Sequence, residues 1–231
     1  MLDSYIKQLE NNFNFKIFEK NFKLKNKMIV GIGETTAGEV GMIFDYTTGM
    51  PYIPASSIKG VVRNIYLKNF VKKLLNDNNL QKKFGKKDNF EIDKIEENAE
   101  ETKIYLIFGG DKKTFKIEKN IYDKEETYMG SVIFFDAYPI EKPKLGIDII
   151  NVHYQDYYRD GEKAPKDNMN PSIIKFLTVS GGTEFKFRYA INLNNIKEQS
   201  IIKDFEESFI EALTDHGIGA KTNLGYGIFN I

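Results

Sequence analysis

The segment at positions 51–63, Pro-Tyr-Ile-Pro-Ala-Ser-Ser-Ile-Lys-Gly-Val-Val-Arg, contains residue types that could bind an anion. Its two prolines disfavour helical geometry in the residues before them, and Ser56 is a favoured N-cap, so we predict that a helix begins there. With Ser57 in its first turn, the free N–H groups and the positive end of the helix dipole could bind a phosphate. Lys59 and Arg63 lie four residues apart and share a helix face. The same pattern also suits a capped helix with two solvated cations.

A second candidate segment lies near the C-terminus, at 217–227, with the sequence Gly-Ile-Gly-Ala-Lys-Thr-Asn-Leu-Gly-Tyr-Gly. Its four glycines predict a loop whose backbone, from Gly219 onward, can approach a phosphate closely. Lys221, Thr222 and Asn223 lie at the predicted tip. The segment is not a Walker A motif, because it follows a helix and precedes a strand, which reverses the order of that motif. It could also be a turn that only requires positive φ angles.

Two histidines are candidates for acid–base chemistry. His216 adjoins the glycine-rich segment, where a phosphate would lie, so it could serve as a general acid or base. We favour the simpler interpretation that His216 interacts with the last carbonyl groups of a helix. His153 lies in a tyrosine-rich stretch and is interpreted as a packing or subunit-contact residue.

Besides His216, Asp45 is the other weak candidate for catalysis, since it lies in a loop before the predicted helix start. Together with Glu34 and Glu39 it could suggest a metal site, but their positions do not have the spacing of a known ligand set. Acidic side chains of this kind are usually surface residues. We therefore expect no metal ion and no cofactor.

The pattern of apolar residues predicts an α+β chain. No internal repeat is found and no linker is rich enough in glycine or proline to divide the chain, so we expect one domain over residues 1–231, with surface insertions at about 76–103 and 111–128. The predicted helices cover 2–18, 56–76 and 200–213, and the predicted strands or buried edges cover 22–32, 104–108, 131–138, 144–158, 173–191 and 225–231.

The composition indicates an ordinary globular protein, with 41% hydrophobic and 29% charged residues. The absence of cysteine excludes a disulfide scaffold, cysteine-ligated zinc and thiol catalysis, and it fits a reducing compartment. We find no signal peptide and no apolar stretch of the ~18 residues that a membrane helix needs. We therefore expect a cytoplasmic protein without membrane contact.

The 33 basic and 33 acidic residues cancel, which argues against strong RNA binding by the isolated chain. The charges are nevertheless segregated. Nine Lys or Arg residues and one acid lie within 58–87, whereas seven acids and one lysine lie within 88–101. This distribution suits a protein that contacts a polyanion on one side and other proteins on another, and it also suits two solvated charged faces.

The helix start at 51–63 and the glycine-rich segment at 217–227, taken together, resemble the RAMP superfamily of CRISPR proteins. The stretch Gly-Ser-Val-Ile-Phe-Phe-Asp-Ala-Tyr-Pro at 130–139 is similar to a strand that these proteins share. Residues 148–158, Asp-Ile-Ile-Asn-Val-His-Tyr-Gln-Asp-Tyr-Tyr, are similar to a signature of the sixth-subunit family of the Cmr (type III-B) effector complex. The resemblance implies a ferredoxin-like (RRM-like) RAMP fold with insertions, in which the glycine-rich loop packs near the first helix of that core.

The resemblance also implies a function in RNA-guided antiviral defence. Members of this family bind the 3′ part of the guide RNA at one end of the complex, which also engages target RNA. Their neighbours are the repeated backbone RAMP subunit, the second end-capping RAMP subunit and the small helical subunit. Carried over to this sequence, the residues that would line the guide backbone are Ser56, Ser57, Lys59, Arg63, Gly219, Lys221, Thr222 and Asn223.

Two other functions remain open at this point. Some RAMP relatives are metal-independent endoribonucleases, for which His216 would be the candidate residue, and the repeated backbone subunit cleaves target RNA with a loop aspartate, for which Asp45 would be the candidate. The spacing from Asp45 to the helix is shorter than in the cleaving subunits, so we expect a non-catalytic chain. A pure protein scaffold that never contacts RNA is the third possibility.

Overall fold

The computed structural model describes residues 2–12, 14–32, 41–76, 103–111, 127–152 and 172–231. Four α-helices and nine strands are found within these ranges. In chain order they are α1 (Leu2–Asn12), β1 (Phe15–Leu24), α2 (Ala55–Asn76), α3 (Ile104–Phe108), β2 (Gly109–Asp111), β3 (Thr127–Met129), β4 (Val132–Phe134), β5 (Tyr138–Pro139), β6 (Leu145–Val152), β7 (Ser172–Val179), β8 (Glu184–Asn192), α4 (Gln199–Glu211) and β9 (Phe229–Asn230).

The central sheet is built around β1 and β8, which pair antiparallel from Phe15↔Asn192 to Lys23↔Glu184. The short strand β9 pairs with the other edge of β1, and β4 and β5 both pair with the other edge of β8. All of these pairings are antiparallel. The alternation of Phe185, Phe187 and Tyr189 along β8 directs the three aromatic side chains to one face, because successive side chains of a strand point to opposite faces.

The main core lies between this face of the sheet and the helices α2 and α4, which pack against each other. Phe18 stacks on Tyr189 with ring centroids 4.5 Å apart, and Phe205 and Phe209 of α4 meet the same tyrosine edge-on or tilted. Full burial of one such side chain contributes about 1.5–3 kcal/mol, and the offset ring contacts add to this. Phe187 is also fully buried here. Aromatic packing therefore fixes both helices on the sheet.

The opposite face of the sheet is covered at one end by α1. Ile6 and Leu9 of this helix pack with Phe135 and Ala190 in a second, smaller cluster. Arg188 projects beside the same helix, where its guanidinium pairs with Asp3 at 2.8 Å and with Glu19 of β1 at 2.6 Å. The sheet is thus covered on both faces at the end where β1 begins and β8 ends.

A two-stranded ribbon, formed by β6 and β7, lies apart from the central sheet. Its register runs from Leu145↔Val179 to Val152↔Ser172. An isolated bridge between Met28 and Val179 joins it to the segment that follows β1. The end of β7 therefore lies edge to edge with the segment at residue 28.

The α+β class predicted from sequence is confirmed, and so are the helices predicted at 56–76 and 200–213. Several local predictions are wrong. The strand predicted over 22–32 is found at Phe15–Leu24, and the one predicted over 225–231 is only Phe229–Asn230. Residues 104–108 form a short helix, and the helix predicted over 2–18 ends at Asn12, because Phe15 and Ile17 alternate with polar residues and pair with β8. The ferredoxin-like arrangement stays a prediction, as does the single domain. The predicted insertions lie almost entirely outside the described residues.

Within the described residues, no helix combines the length and apolar character needed to cross a membrane. The same part of the chain contains no group of three or more His, Cys, Asp or Glu side chains that could hold a metal ion.

Candidate nucleic-acid interface

The glycine-rich loop follows α4 through a π-helical turn, Ala212–His216, in which the Gly217 N–H donates to Ala212 O at 2.8 Å. The loop then packs against the segment at 27–30. The Ala220 N–H donates to Ile29 O and the Gly227 N–H donates to Lys27 O, both at 2.9 Å. These bonds fix the loop at Ala220 and at Gly227.

The close packing of the loop against the segment at 27–30 requires glycine at position 219. Its φ is +101°, and a β-carbon at this position would collide with the carbonyl oxygen of Ile29. An L-residue rarely adopts such a φ, and the collision is with backbone, which cannot move away as a side chain could. Glycine at 219 is therefore required for the loop to pack against the segment at 27–30, whereas phosphate binding by the loop stays a prediction.

The tip of the loop carries the polar residues predicted from sequence. Lys221 adopts the left-handed conformation with φ 60°, and a short 3-10 turn, Thr222–Leu224, follows it. Asn223 and Leu224 are exposed, and Thr222 is half-buried. The Lys221 ammonium lies 5.2 Å from the ring centroid of Phe176 on β7, a cation–π contact that holds this charge near the ribbon.

A cleft of about 390 Å³ opens beside the tip, and its lining includes residues that sequence reasoning missed. Lys25, Asn26 and Lys27, which form the turn after β1, line one side, and Leu224 and Gly225 line the other. The Asn26 side chain donates to Gly225 O at 3.3 Å. The signal in the sequence was the run Lys-Leu-Lys-Asn-Lys at 23–27, which ends a strand with three cations.

Asp148 on β6 joins the loop, the turn and the ribbon. Its carboxylate accepts hydrogen bonds from the Lys27 ammonium at 2.8 Å, from the Tyr226 hydroxyl at 2.7 Å and from the Ile149 N–H at 3.0 Å. These bonds lower the pKa of Asp148 to about 2, with the Lys27 bond as the largest cause. The bond to Asp148 is also the main reason that the pKa of Tyr226 is raised. The sequence placed Asp148 in a family signature without giving it this role.

The start of α2 differs from the prediction in one important respect. The helix begins at Ala55, so Ser56 lies inside it and is not the N-cap. The Asp136 carboxylate accepts the Ala55 N–H at 2.7 Å and supplies the capping interaction from a residue 81 positions away in sequence. A negative charge therefore already occupies part of the end where a phosphate was expected. Ser57 is half-buried in the first turn.

Lys59 and Arg63 lie on the same face of α2, as predicted. Burial is the main cause that lowers the pKa of Lys59, and the neighbouring charge of Arg63 lowers it further. Both side chains are half-buried. They form one cationic patch on the helix, but its charges are less exposed than those of Lys25 and Lys27.

The glycine-rich loop and Ile43, which precedes the segment leading into α2, contact the extended segment at 28–30 from opposite edges. On one edge Ile29 O accepts the Ala220 N–H, and on the other Val30 O accepts the Ile43 N–H at 3.1 Å. Two interstrand spacings, roughly 10 Å in all, separate the backbone at Ala220 from the backbone at Ile43. The glycine-rich loop and the segment that leads into α2 are therefore neighbours across one strand rather than in direct contact.

The Asp45 carboxylate accepts hydrogen bonds mainly from its own loop. One carboxylate oxygen accepts the Thr48 N–H at 2.7 Å, the Thr48 hydroxyl at 2.8 Å and the Thr47 N–H at 3.1 Å, and the other accepts the Tyr138 hydroxyl at 3.2 Å. The bond from the Thr48 N–H is the largest cause that lowers the pKa of Asp45. Such a carboxylate stabilises a turn and stays ionised.

His216 also has a local partner, since its Nε2 lies 3.6 Å from Glu211 Oε1. Glu211 in turn accepts the Asn69 amide at 2.6 Å and the Lys72 ammonium at 3.4 Å. This places His216 in a polar network between α2 and α4. His153, Glu34 and Glu39 lie outside the described residues.

Comparison of the sequence and fold with known proteins identifies the family of this chain. The sequence model of the RAMP superfamily matches residues 21–230. The Cmr6 subunit of the CRISPR system of Pyrococcus furiosus is 34% identical over 234 residues, which cover 89% of this chain and 65% of that protein. The Cmr6 subunit of Saccharolobus solfataricus is 25% identical, with 98% of this chain and 62% of that protein covered.

Among solved structures, the chain matches one from the cryo-EM structure of a type III-B Cmr-beta complex bound to cognate target RNA. The TM-score is 0.60 at 22% identity, and the match covers 99% of this chain and 62% of the other, so it supports the fold alone. The chain thus spans slightly less than two thirds of the length of these relatives. The match over residues 21–230 confirms the prediction made from the two glycine- and serine-containing segments: this chain belongs to the RAMP superfamily.

Proposed function

We propose that this chain is a non-catalytic, RNA-binding subunit of a type III-B (Cmr) CRISPR effector complex. In this function it binds the 3′ part of the guide RNA and caps the backbone of the complex, on a ferredoxin-like core. Its membership of the RAMP superfamily and the Cmr6 names of its relatives support the assignment. The proposed partners are guide RNA, target RNA and the neighbouring Cmr subunits, namely the repeated backbone subunit, the second end-capping subunit and the small helical subunit.

The observation that carries RNA binding is the close approach of the glycine-rich loop to the turn after β1. This approach brings Lys25 and Lys27 beside Leu224 and Gly225, which directly follow Lys221, Thr222 and Asn223 in the loop. Lysine ammonium groups bind phosphate as point charges, and loop backbone N–H groups add hydrogen bonds. With zero net charge, the chain would share its affinity for RNA with other subunits of the assembly.

Crosslinking within the reconstituted complex tests this proposal. Ultraviolet irradiation with guide RNA that carries 4-thiouridine, followed by mass spectrometry, should identify adducts at residues 221–226 and at 25–27. Adducts confined to other subunits would favour the scaffold alternative. A complex assembled without this chain is the control, because its remaining adducts report the background of the other subunits.

The non-catalytic assignment rests on how the two candidate residues are used. Asp45 holds its own turn through both oxygens, and His216 lies beside Glu211 with no second histidine described near it. A metal-independent ribonuclease needs an acid–base pair at the scissile phosphate.

We therefore predict that Asp45→Ala and His216→Ala in this subunit leave RNA cleavage by the whole complex unchanged. End-labelled target RNA and a guide precursor, separated on denaturing gels, report both activities. Loss of one specific target cut in Asp45→Ala would make the subunit a nuclease of the aspartate type. Loss of precursor processing in His216→Ala would instead support the endoribonuclease alternative. A melting curve of each variant separates these results from unfolding.

A further inference from the structure

The ribbon of β6 and β7 has one face whose side chains are aliphatic and exposed. The exposed fractions are 44% for Leu145, 67% for Ile147, 54% for Ile149 and 60% for Ile173. The register places these residues on one face, since directly paired residues of an antiparallel ribbon share a face. Leu177 and Val179 share this face but pack on the main core. We call the exposed part, formed by Leu145, Ile147, Ile149 and Ile173 with Lys175 and Asn151, the outer ribbon face.

The other face of the ribbon is already used within the chain. It carries Phe176 and Thr178, which are buried, and Asp148, which binds Lys27 and Tyr226. A ribbon covered on one side normally presents polar side chains on its solvent side. The outer ribbon face breaks this rule with a row of aliphatic residues, and contiguous exposed apolar surface is typical of protein interaction sites.

The charge on the outer ribbon face favours one kind of partner. Lys175, which is exposed and pairs with Ile149, is its single charged residue over 145–151 and 173–179. One cation among aliphatic side chains is too little for a phosphate backbone, which requires several. A partner protein with a complementary surface would be apolar and would place one carboxylate opposite Lys175.

A second copy of this chain fits this surface poorly. A two-fold pairing of outer ribbon faces would bring two Lys175 ammonium groups into one desolvated contact, because each side would present the same residues. The face is also small. Eight residues of two strands span roughly 26 Å by 10 Å, whereas a self-standing interface buries about 800 Å² per partner. The area suits one contact among several within an assembly.

We propose that the outer ribbon face docks on another protein subunit of the assembly, through an apolar surface that contains a carboxylate opposite Lys175. This proposal rests on the proposed function, because it assumes that the chain works inside an effector complex. The ribbon would then serve two partners at once. Its inner face supports the glycine-rich loop, and its outer face contacts protein.

Competition during assembly tests the proposal. The chain and its variants are mixed in equal amounts with the remaining subunits and guide RNA, and their incorporation is counted by mass spectrometry. We expect the double variant Ile147→Asn with Ile149→Asn to be incorporated at least tenfold less than the wild type. The Lys175→Glu variant should also be incorporated less than the wild type, although this substitution leaves the aliphatic residues of the face unchanged. Met129→Asn, which alters another exposed apolar residue on β3, is the matched control and should be incorporated normally.

Several outcomes would overturn the proposal. Equal incorporation of the double variant and of Lys175→Glu would show that no subunit docks there. Dimerisation of the isolated chain in sedimentation, abolished by the double variant, would assign the face to a second copy. Weaker RNA binding by Lys175→Glu with normal incorporation would assign it to RNA. Melting curves confirm folding, and RNA crosslinks to the wild-type chain, measured in parallel, report the proposed function independently.

Discussion

The glycine-rich loop and the start of α2 were predicted as two halves of one anion site, and they differ in what their backbone donors already bind. The loop is held by Ile29 and Lys27 through backbone bonds, and Lys25 and Lys27 line the cleft beside its tip. At the start of α2, the Asp136 carboxylate takes the Ala55 N–H. A helix start is therefore an anion site only if no carboxylate of the same chain has reached it first. We expect the loop to dominate RNA binding.

The largest expected effect comes from adding one methyl group to the loop. Gly219→Ala should destabilise the protein by roughly 2–4 kcal/mol, because a positive φ and a collision with Ile29 O act together. Gly225→Ala is the matched control. Its φ is +85°, but the nearest atom to the added carbon is Asn26 Nδ2 at 3.5 Å, so only the backbone cost of about 1 kcal/mol remains. Urea denaturation measures both, and equal losses would refute the close-approach argument.

Charge reversal compares the two regions directly. Lys25→Glu with Lys221→Glu should weaken RNA binding more than Lys59→Glu with Arg63→Glu, because the helix pair is half-buried beside a cap that is already anionic. Each lost phosphate contact should reduce the log–log salt slope by about 0.7 for single-stranded RNA. Filter binding at four salt concentrations gives the slopes. A larger loss from the helix pair would reverse the comparison, and an unchanged slope would remove that patch from the RNA site.

The cap of α2 gives a smaller effect on stability. Asp136→Ala should lower the free energy of unfolding by about 1 kcal/mol, the usual loss on removing a helix N-cap. Ser56→Ala should lower it by less than about 0.5 kcal/mol, because Ser56 lies within the helix and its side chain is exposed to solvent. The free energies of unfolding from urea titrations decide between them. A greater loss from Ser56→Ala would restore the serine cap that the sequence predicted.

The smallest expected effect concerns Asp148 and pH. Its pKa in the folded protein is about 2, below the ordinary value of 3.8, so its ionised form stabilises the fold above pH 4 and this contribution is lost as the pH falls from 4 toward 2. Asp148→Asn should therefore destabilise the protein at pH 7 by under about 1 kcal/mol, since the ion pair with Lys27 is partly exposed. The gap between variant and wild type should narrow below pH 4. A gap that stays constant between pH 7 and pH 3 would contradict this role.

The elements that sequence predicted well are those whose period is long and regular. The apolar face of α2 and that of α4 each repeat over several turns, and both helices were found within one or two residues of their bounds. The segment 104–108 has only five residues, all apolar or aromatic, and no period distinguishes a strand from a helix at that length. The secondary structure of a long periodic segment can be predicted from its own sequence, whereas that of a short apolar segment depends on the residues that pack around it.

The candidate site was predictable only in part, for a related reason. The glycine at 219 and the cation Lys221 at the loop tip could be inferred from local sequence. The cap from Asp136 and the bonds of Asp148 to Lys27 and Tyr226 join residues 78 to 121 positions apart. Such pairings depend on how the sheet and the ribbon fold back, which a local pattern does not contain.

The π-helical turn at Ala212–His216 has a geometric consequence for everything that follows it. A π turn holds one residue more than an α turn, and each residue of an α-helix advances the chain by about 100° around the axis. The extra residue thus sets the angle at which the chain leaves α4. A chain one residue shorter here would leave the helix rotated by about a quarter turn, and Ala220 would no longer face Ile29. The number of residues in one helical turn, rather than any side chain, therefore sets the direction in which the glycine-rich loop leaves α4.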